Sequence, residues 1–446
     1  MNRQRASNNL LHTMAGLRGN QLACLYTEPL WGIPYNLYVP FASVYMAALG
    51  LSPFMIGVVS TLFLASQMVW ALLTGVLTDK LGRRLTTLIF DTVCWSIPVL
   101  LWMLAQDYRW FVAAALFNGA WRVTETSWGL LLIEDAPTDS LVRLYSIMHI
   151  CGLLAGFFAP IAYFFVQQHS VVPTMRVLYG IAFVMMTAKF VILFFTTKET
   201  SVGMRRMAET RGVSMLGRLW DSRRVLFTML KSRRAMLTVA FMACFTGFKS
   251  INETFWPLLI TEKLGIPAEN LSLFSTMKTL LMLGCYFLIV PRLDLRRFRN
   301  PVLLGLGLFV VQEILLLLMP VGAYWMVLLT VVMEAFALSM LTPLATSLQM
   351  VNIDREERAR MLGFFAALCM LVTSPLSTVA GAIAEANRAL PFALNLALTV
   401  AAVVLALELW KIGLPEAEPD EAPQAEPRRA TEAELPADPD PLQPVG

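Results

Sequence analysis

Charge is scarce in this sequence. Asp, Glu, Lys and Arg make up 15% of its 446 residues, where soluble domains carry about 25%. Apolar runs of about twenty residues recur along the whole length instead, which excludes an ordinary soluble domain and points to a polytopic helical membrane protein. Segments of about ten residues with alternating polarity, the mark of a membrane barrel, are missing. Cysteine is sparse as well. Cys24, Cys94, Cys151, Cys244, Cys285 and Cys369 are scattered through apolar runs with no close pair, so no metal site or disulfide framework is read, and they fit a role as small packing residues. There is no His/Asp metal cluster, no Gly-flanked serine nucleophile and no large soluble domain. A polytopic lipid-handling enzyme or receptor therefore has little support. No metal, cofactor or nucleic-acid partner is implied. No cleavable signal peptide is expected: the first residues are polar and basic (Arg3, Arg5, Arg18), and no small-residue cleavage site follows the first apolar run.

Twelve spans are expected, at 22–48, 53–77, 85–105, 110–133, 143–167, 174–197, 235–261, 271–290, 301–319, 323–348, 360–384 and 390–411. An even number puts both termini on one side, and the basic residues choose the side. With the N-terminal tail and every second loop in the cytoplasm, only Arg109, Arg176, Lys263 and Arg388 fall outside. The expected organisation is a tail at 1–21, six spans within 22–197, a central loop at 198–234, six spans within 235–411 and a tail at 412–446. The central loop is basic, and Ser214 to Lys231 fits either an amphipathic helix at the anionic inner leaflet or a solvated linker. The C-terminal tail has nine acids against two arginines, eight prolines and no aromatic residue. It is read as disordered.

The most telling stretch is Gly75-Val76-Leu77-Thr78-Asp79-Lys80-Leu81-Gly82-Arg83-Arg84, between spans 2 and 3. It resembles the signature loop of the major facilitator superfamily of transporters: Gly, three residues, Asp, a base, one residue, Gly, Arg and a base. Every position is filled. The lead-in Leu49-Gly50-Leu51-Ser52 to Ile56-Gly57 is also similar to that family. The bland alternative is a basic cytoplasmic loop that obeys the charge rule. Weak internal similarity accompanies it. Asp135 to Ser146 after span 4 parallels Asn352 to Gly363 after span 10, and Pro291 to Arg297 is a degraded echo of the signature. The resemblance implies two parallel six-helix repeats. It also implies that Asp79 and Arg83 bridge the cytoplasmic ends of the helices in one state, with Glu134 or Asp135 as partner.

The ionisable residues inside spans carry most of the functional information, because each costs about 2.5–3.5 kcal/mol or more at the bilayer centre unless a cavity or partner receives it. Spans 1, 4, 7 and 10 each hold an acid: Glu28, Glu125, Glu253 and Glu334. In the family these four spans line the central cavity. Arg122 with Glu125, and Lys249 with Glu253, share a helix face at spacings of three and four; each pair either neutralises itself or forms an adjustable site. Many family members carry an arginine in span 4, then two residues, Gln and Gly. Arg122 matches that arginine, but Glu125 and Thr126 replace the other two. The implied role is proton coupling or recognition of substrate charge. The Gly-Pro dipeptide of many drug–proton antiporters is missing from Gly152-Leu153-Leu154-Ala155-Gly156-Phe157-Phe158-Ala159-Pro160, so these glycines read first as close helix packing.

Glu334 has no cation on its own span, so it is the expected proton site, with Glu253 next, unless Lys249 or Lys278 reaches it. Asp91 is expected to join the signature network. Lys189 and Lys278 are expected to snorkel or to pair with an acid. His149 reads as an interior histidine with a possible coupling role, and Glu313 has no evident role. Trp31, Tyr35 and Trp121 are the expected aromatic cavity wall. Pro29, Pro34 and Pro40 in span 1 point the same way, since freed backbone groups need protein or water. The expected protein is an all-α, twelve-helix secondary transporter, monomeric and in the cell membrane. It moves a small organic solute by alternating access, with the proton as the driving ion. Import and export remain open.

Overall fold

A computed structural model describes residues 17–136, 141–212, 223–288, 299–351 and 358–412. The C-terminal tail from 413, the signature echo at 291–297 and parts of the two parallel turns lie outside the described residues, as does the side chain of His149.

Among the described residues, ten helices are long and apolar enough to cross a membrane, including Pro53–Leu81, Val171–Thr196, Arg233–Lys263 and Leu390–Ile412. Spans 1 and 4 complete the twelve, and they miss the length criterion because each is interrupted. Span 1 runs as Gly19–Thr27, Pro29–Tyr38, Val39–Phe41 and Ala42–Ala48, broken where Pro29 and Pro40 remove backbone donors. Span 4 runs as Tyr108–Asn118 and Trp121–Ile133. Its break falls at Gly119, where a Cβ would stand 2.3 Å from Ser66 Oγ of span 2. The missing side chain lets spans 2 and 4 touch, and Ser66 Oγ donates to the Leu116 carbonyl at 2.7 Å.

Span 2 opens with an N-cap, Ser52 Oγ accepting the Met55 amide at 3.3 Å, and with Pro53 at its first position, where the lost donor costs nothing. It continues to Leu81, beyond the expected end at 77. Asp79 and Lys80 therefore sit in its last turn and not in a loop. The turn between spans 2 and 3 reduces to Gly82 at φ 81°, a left-handed conformation that side chains with a Cβ resist. That is the physical reason for the second glycine of the signature.

The two groups of six spans meet along spans 2 and 11 (Arg358–Ala386). Gly57 and Gly381 face each other so closely that a Cβ on Gly57 would lie 2.4 Å from the Ser377 carbonyl oxygen. Thr61 Oγ1 donates to the Ser374 carbonyl at 2.6 Å. Ser60, Ser250 and Ser377 join spans 2, 7 and 11 through hydroxyl contacts of 3.2–3.4 Å. Small residues that admit close backbones, tied by hydroxyls, are how apolar helices associate where lipid is as apolar as the side chains. Of the two glycines expected to pack closely in span 5, Gly156 does so, its Cβ position 2.8 Å from Thr279 of span 8, and Gly152 does not, since a Cβ there would meet nothing within 4 Å.

In the central loop, Arg223–Lys231 is helical, as the amphipathic reading allows, and 213–222 lie outside the described residues. A second short helix, Ser201–Glu209, follows span 6 directly and was not expected.

Candidate functional site

The signature residues form a charge cluster at one end of the first six spans. Arg83 is 3% exposed. Its Nε and Nη2 donate to the Glu134 carboxylate at 2.9–3.1 Å, and its Nη1 donates to Asp79 Oδ1 at 3.3 Å. The partner from span 4 is therefore Glu134. Asp135 turns instead to Ser201, accepting from its amide and hydroxyl. Glu199, overlooked in the sequence, caps span 3 by accepting from the amides of Arg83 and Arg84 at 2.9 and 3.0 Å. A carboxylate at a helix N-terminus is favoured by the exposed donors and the dipole. Thr200 Oγ1 donates to Glu134, and Thr210 Oγ1 donates to the Asp79 carbonyl. The Ser201–Glu209 helix is thus tied to the signature from below. Arg84 lies over the Phe194 ring at 4.1 Å and donates to the Phe194 carbonyl. Gly75 leaves open space: a Cβ there would meet nothing within 4 Å.

A cavity of about 440 Å³ lies between the first six spans and span 7, within the range of small-molecule sites, roughly 300–1,000 Å³. Its wall includes Trp31, Tyr35, Tyr38, Trp95, Trp121, Arg122, Gln67, Lys249 and Glu253. The aromatics form a box. Trp31 stacks on Tyr35 at 4.7 Å, and Trp95 meets both edge-on at 5.1 and 5.7 Å. Trp95 sits in a π-helical turn, Thr92–Ser96, a local irregularity frequent at functional sites. The buried indole N–H of Trp31 has no acceptor among the described residues.

Arg122 opens the second half of span 4, just past the glycine break. Its Nε donates to Gln67 Oε1 at 3.0 Å, its Nη1 to Glu125 at 2.7 Å, and its guanidinium lies 4.7 Å from the Trp121 ring centre. A guanidinium has five N–H donors, so these two bonds leave donors for a cavity occupant. Gln67 was not picked out from the sequence; an amide inside the apolar span 2 was the available signal. Across the cavity Lys249 and Glu253 stand 3.6 Å apart with side chains 55% and 60% exposed.

Three expected cavity residues are placed differently. Glu28, Glu125 and Glu334 are not among the residues lining this cavity. Glu125 is half-exposed beside Arg122. Glu28 accepts from Lys189 Nζ at 2.7 Å; that lysine is 5% exposed and lies near the rings of Trp31 and Trp128 at 5.6 and 5.4 Å. Lys189 therefore pairs with an acid and does not snorkel. Asp91 belongs to the same buried region and not to the signature network: it accepts from Thr124 Oγ1 at 2.6 Å. Glu334, 5% exposed, accepts from Lys278 Nζ at 3.2 Å and from Asn252 Nδ2 at 2.9 Å. Lys278 thus reaches Glu334, the exception left open by the sequence: the packing of spans 8 and 10 supplies the lysine that its own span lacks. No group of His, Cys, Asp and Glu suited to a metal occurs among the described residues.

No curated protein matches the chain by sequence. Solved structures resemble it in fold. The nucleoside transporter NupG superposes with a TM-score of 0.63 at 15% identity, covering 89% of this chain and 99% of its own. A peptide transporter, POT, in complex with sulfate gives 0.64 at 15% identity over 91% and 98%. A POT family transporter in complex with 5-aminolevulinic acid gives 0.65 at 13% identity over 87% and 94%. The Major Facilitator Superfamily profile matches twice, at residues 31–252 and 237–444. With both halves of the chain matched and the signature residues clustered at the end of span 2, the chain belongs to the major facilitator superfamily of transporters.

Proposed function

We propose that this transporter moves a small organic solute with a charged group beside a flat or apolar body, by alternating access and with proton coupling. The observation that carries the reading is the cavity itself: a guanidinium tethered by Gln67 and Glu125 on one side, a Lys249–Glu253 pair on the other, and the Trp31–Tyr35–Trp95 box between them. Balanced but displaceable charge suits a zwitterion or an anion, and the aromatic faces suit its apolar part. The relatives are named as carriers of nucleosides and peptides, and one holds 5-aminolevulinic acid; such solutes are of the right size and mixed polarity. The two sets of six spans rock around this cavity, with both termini on the cytoplasmic side. The Arg83–Glu134–Asp79 cluster forms and breaks as the cytoplasmic side closes and opens.

The test has two stages. Dipeptides, nucleosides and amino acids are screened for thermal stabilisation of the purified protein, since a ligand that binds only the folded state raises its stability. A hit is then followed into proteoliposomes under an imposed pH gradient. Accumulation abolished by a protonophore, and binding lost in Arg122→Ala, are expected. Accumulation that persists without a proton gradient removes the coupling; solutes that bind but never cross remove transport.

A further inference from the structure

Asp91, Glu313 and Glu334 are buried acids inside the spans that the reading above does not use, and of these three Glu313 alone has no hydrogen-bond partner among the described residues. It lies on span 9 (Arg299–Leu318), is 0% exposed, and neither carboxyl oxygen has a hydrogen-bond partner among the described residues. Spans 10 and 12 pack along span 9, and span 7 touches it through Phe248, whose ring lies 4.2 Å from that of Phe309; the charges of span 7 on that side of the cavity are Lys249 and Glu253. Span 12 brings the Asn395 carboxamide beside the carboxyl, without reaching hydrogen-bond geometry; its amide donates to the Phe248 carbonyl at 3.4 Å. Span 10 brings Glu334, the acid that acts on Glu313 electrostatically. Behind Glu334 stands Lys278, with Glu253 of the cavity also acting on it. The remaining charges on spans 9 and 12, Arg299, Glu408 and Lys411, belong to the far ends of these helices, and Glu408 and Lys411 pair with each other at 2.6 Å.

The cluster thus holds two carboxyls and one ammonium. Lys278 neutralises Glu334. An ionised Glu313 would be a second anion with no cation of its own and only the Asn395 carboxamide beside it, sealed from water, and such a buried unpaired charge is among the costliest states a protein can hold. We propose that Glu313 binds a proton and that the Glu313–Glu334–Lys278 cluster is the proton-carrying site of the C-terminal half. In its resting form Glu313 is the neutral acid, Glu334 is the carboxylate and Lys278 the ammonium. Release of the proton requires the site to open to water during the transport cycle; a water molecule then takes the proton, the O–H bond breaks with its electron pair left on the carboxylate, and two anions face one lysine. The surplus charge acts on the Lys278–Glu334 contact, whose lysine side chain is 32% exposed. Glu334 is also held by Asn252 at 2.9 Å, and Asn252 lies on span 7 between Lys249 and Glu253 of the cavity wall. Proton occupancy at span 9 is thereby linked to the charges that face the solute.

The use of this proton to drive transport rests on the transporter reading; its binding does not, and the experiment reads binding alone. Protein reconstituted in lipid is followed by attenuated-total-reflection infrared spectroscopy for the C=O stretch of a protonated carboxylic acid at neutral pH. The wild type is expected to show the band, with sodium or with choline as the cation. Glu313→Gln, which keeps the shape of the neutral acid, is expected to lose one carboxyl's share of it. Exposed Glu385→Gln is expected to keep it all. A wild type with no such band overturns the proposal whatever the variants do, and so does a folded Glu313→Gln with the full band. A band that grows when sodium is replaced by choline also overturns it, because the cluster then holds a metal cation in place of the proton.

Discussion

Replacing Arg83 by Ala removes the centre of the signature cluster, and the geometry sets the size of the effect. The side chains of Arg83 and Glu134 are only 4% and 10% exposed, so solvent screens their attraction weakly. The arginine donates two charge-assisted bonds to one carboxylate, the strong bidentate arrangement. Loss of one partner of such a buried pair costs about 3–5 kcal/mol, most of it the burial of the orphaned charge. In Arg83→Ala, Glu134 keeps the Thr200 hydroxyl as donor, which holds the cost toward the lower end. Glu134→Ala costs a similar amount, because Arg83 retains Asp79 and the Thr78 carbonyl, each at 3.3 Å. The double variant should be much less destabilised than the sum, with a coupling energy of about 2–3 kcal/mol. Arg83→Lys falls between, since an ammonium keeps the charge but not the planar fork. The assay is equilibrium unfolding of purified protein in mixed micelles, followed by tryptophan fluorescence and analysed as a double-mutant cycle. Additivity within about 0.5 kcal/mol would refute the reasoning and leave the signature cluster without an energetic role in this state.

The seam between the halves gives a sharper steric prediction. Gly57→Val places a branched side chain where even a Cβ would be 2.4 Å from the Ser377 carbonyl oxygen, so the variant should fail to elute as a monodisperse species in size-exclusion chromatography. Gly75→Ala, where the added Cβ meets nothing within 4 Å, should elute like the wild type. The orientation is tested by impermeant thiol labelling of single cysteines in intact cells: Trp220→Cys should stay unlabelled from outside, and Glu269→Cys should label. Labelling of position 220 from outside would invert the topology.

Composition and periodicity determined the class of this protein. A low charge content and apolar runs of membrane length are local properties, and they specify spans whatever the helices pack against. The asymmetric placement of Lys and Arg carried the expected orientation for the same reason. The signature was legible because its requirements are also local: a left-handed glycine at 82, and an acid and a base one turn apart at Asp79 and Arg83. The same-span pairs Arg122–Glu125 and Lys249–Glu253 followed from helical spacing alone. What the sequence left undecided was the partner of each buried charge on a different span. Glu28 meets Lys189 across 161 positions and Glu334 meets Lys278 across 56. Glu313 is left without a hydrogen-bonding partner among the described residues. Those pairings depend on how each helix is rotated and tilted. In apolar surroundings that rotation is set by small-residue contacts such as Gly57 with Gly381 and Gly119 with Ser66, and not by any face that an apolar sequence displays. The tertiary structure therefore decided which carboxylate is neutralised and which is left without a hydrogen-bonding partner among the described residues.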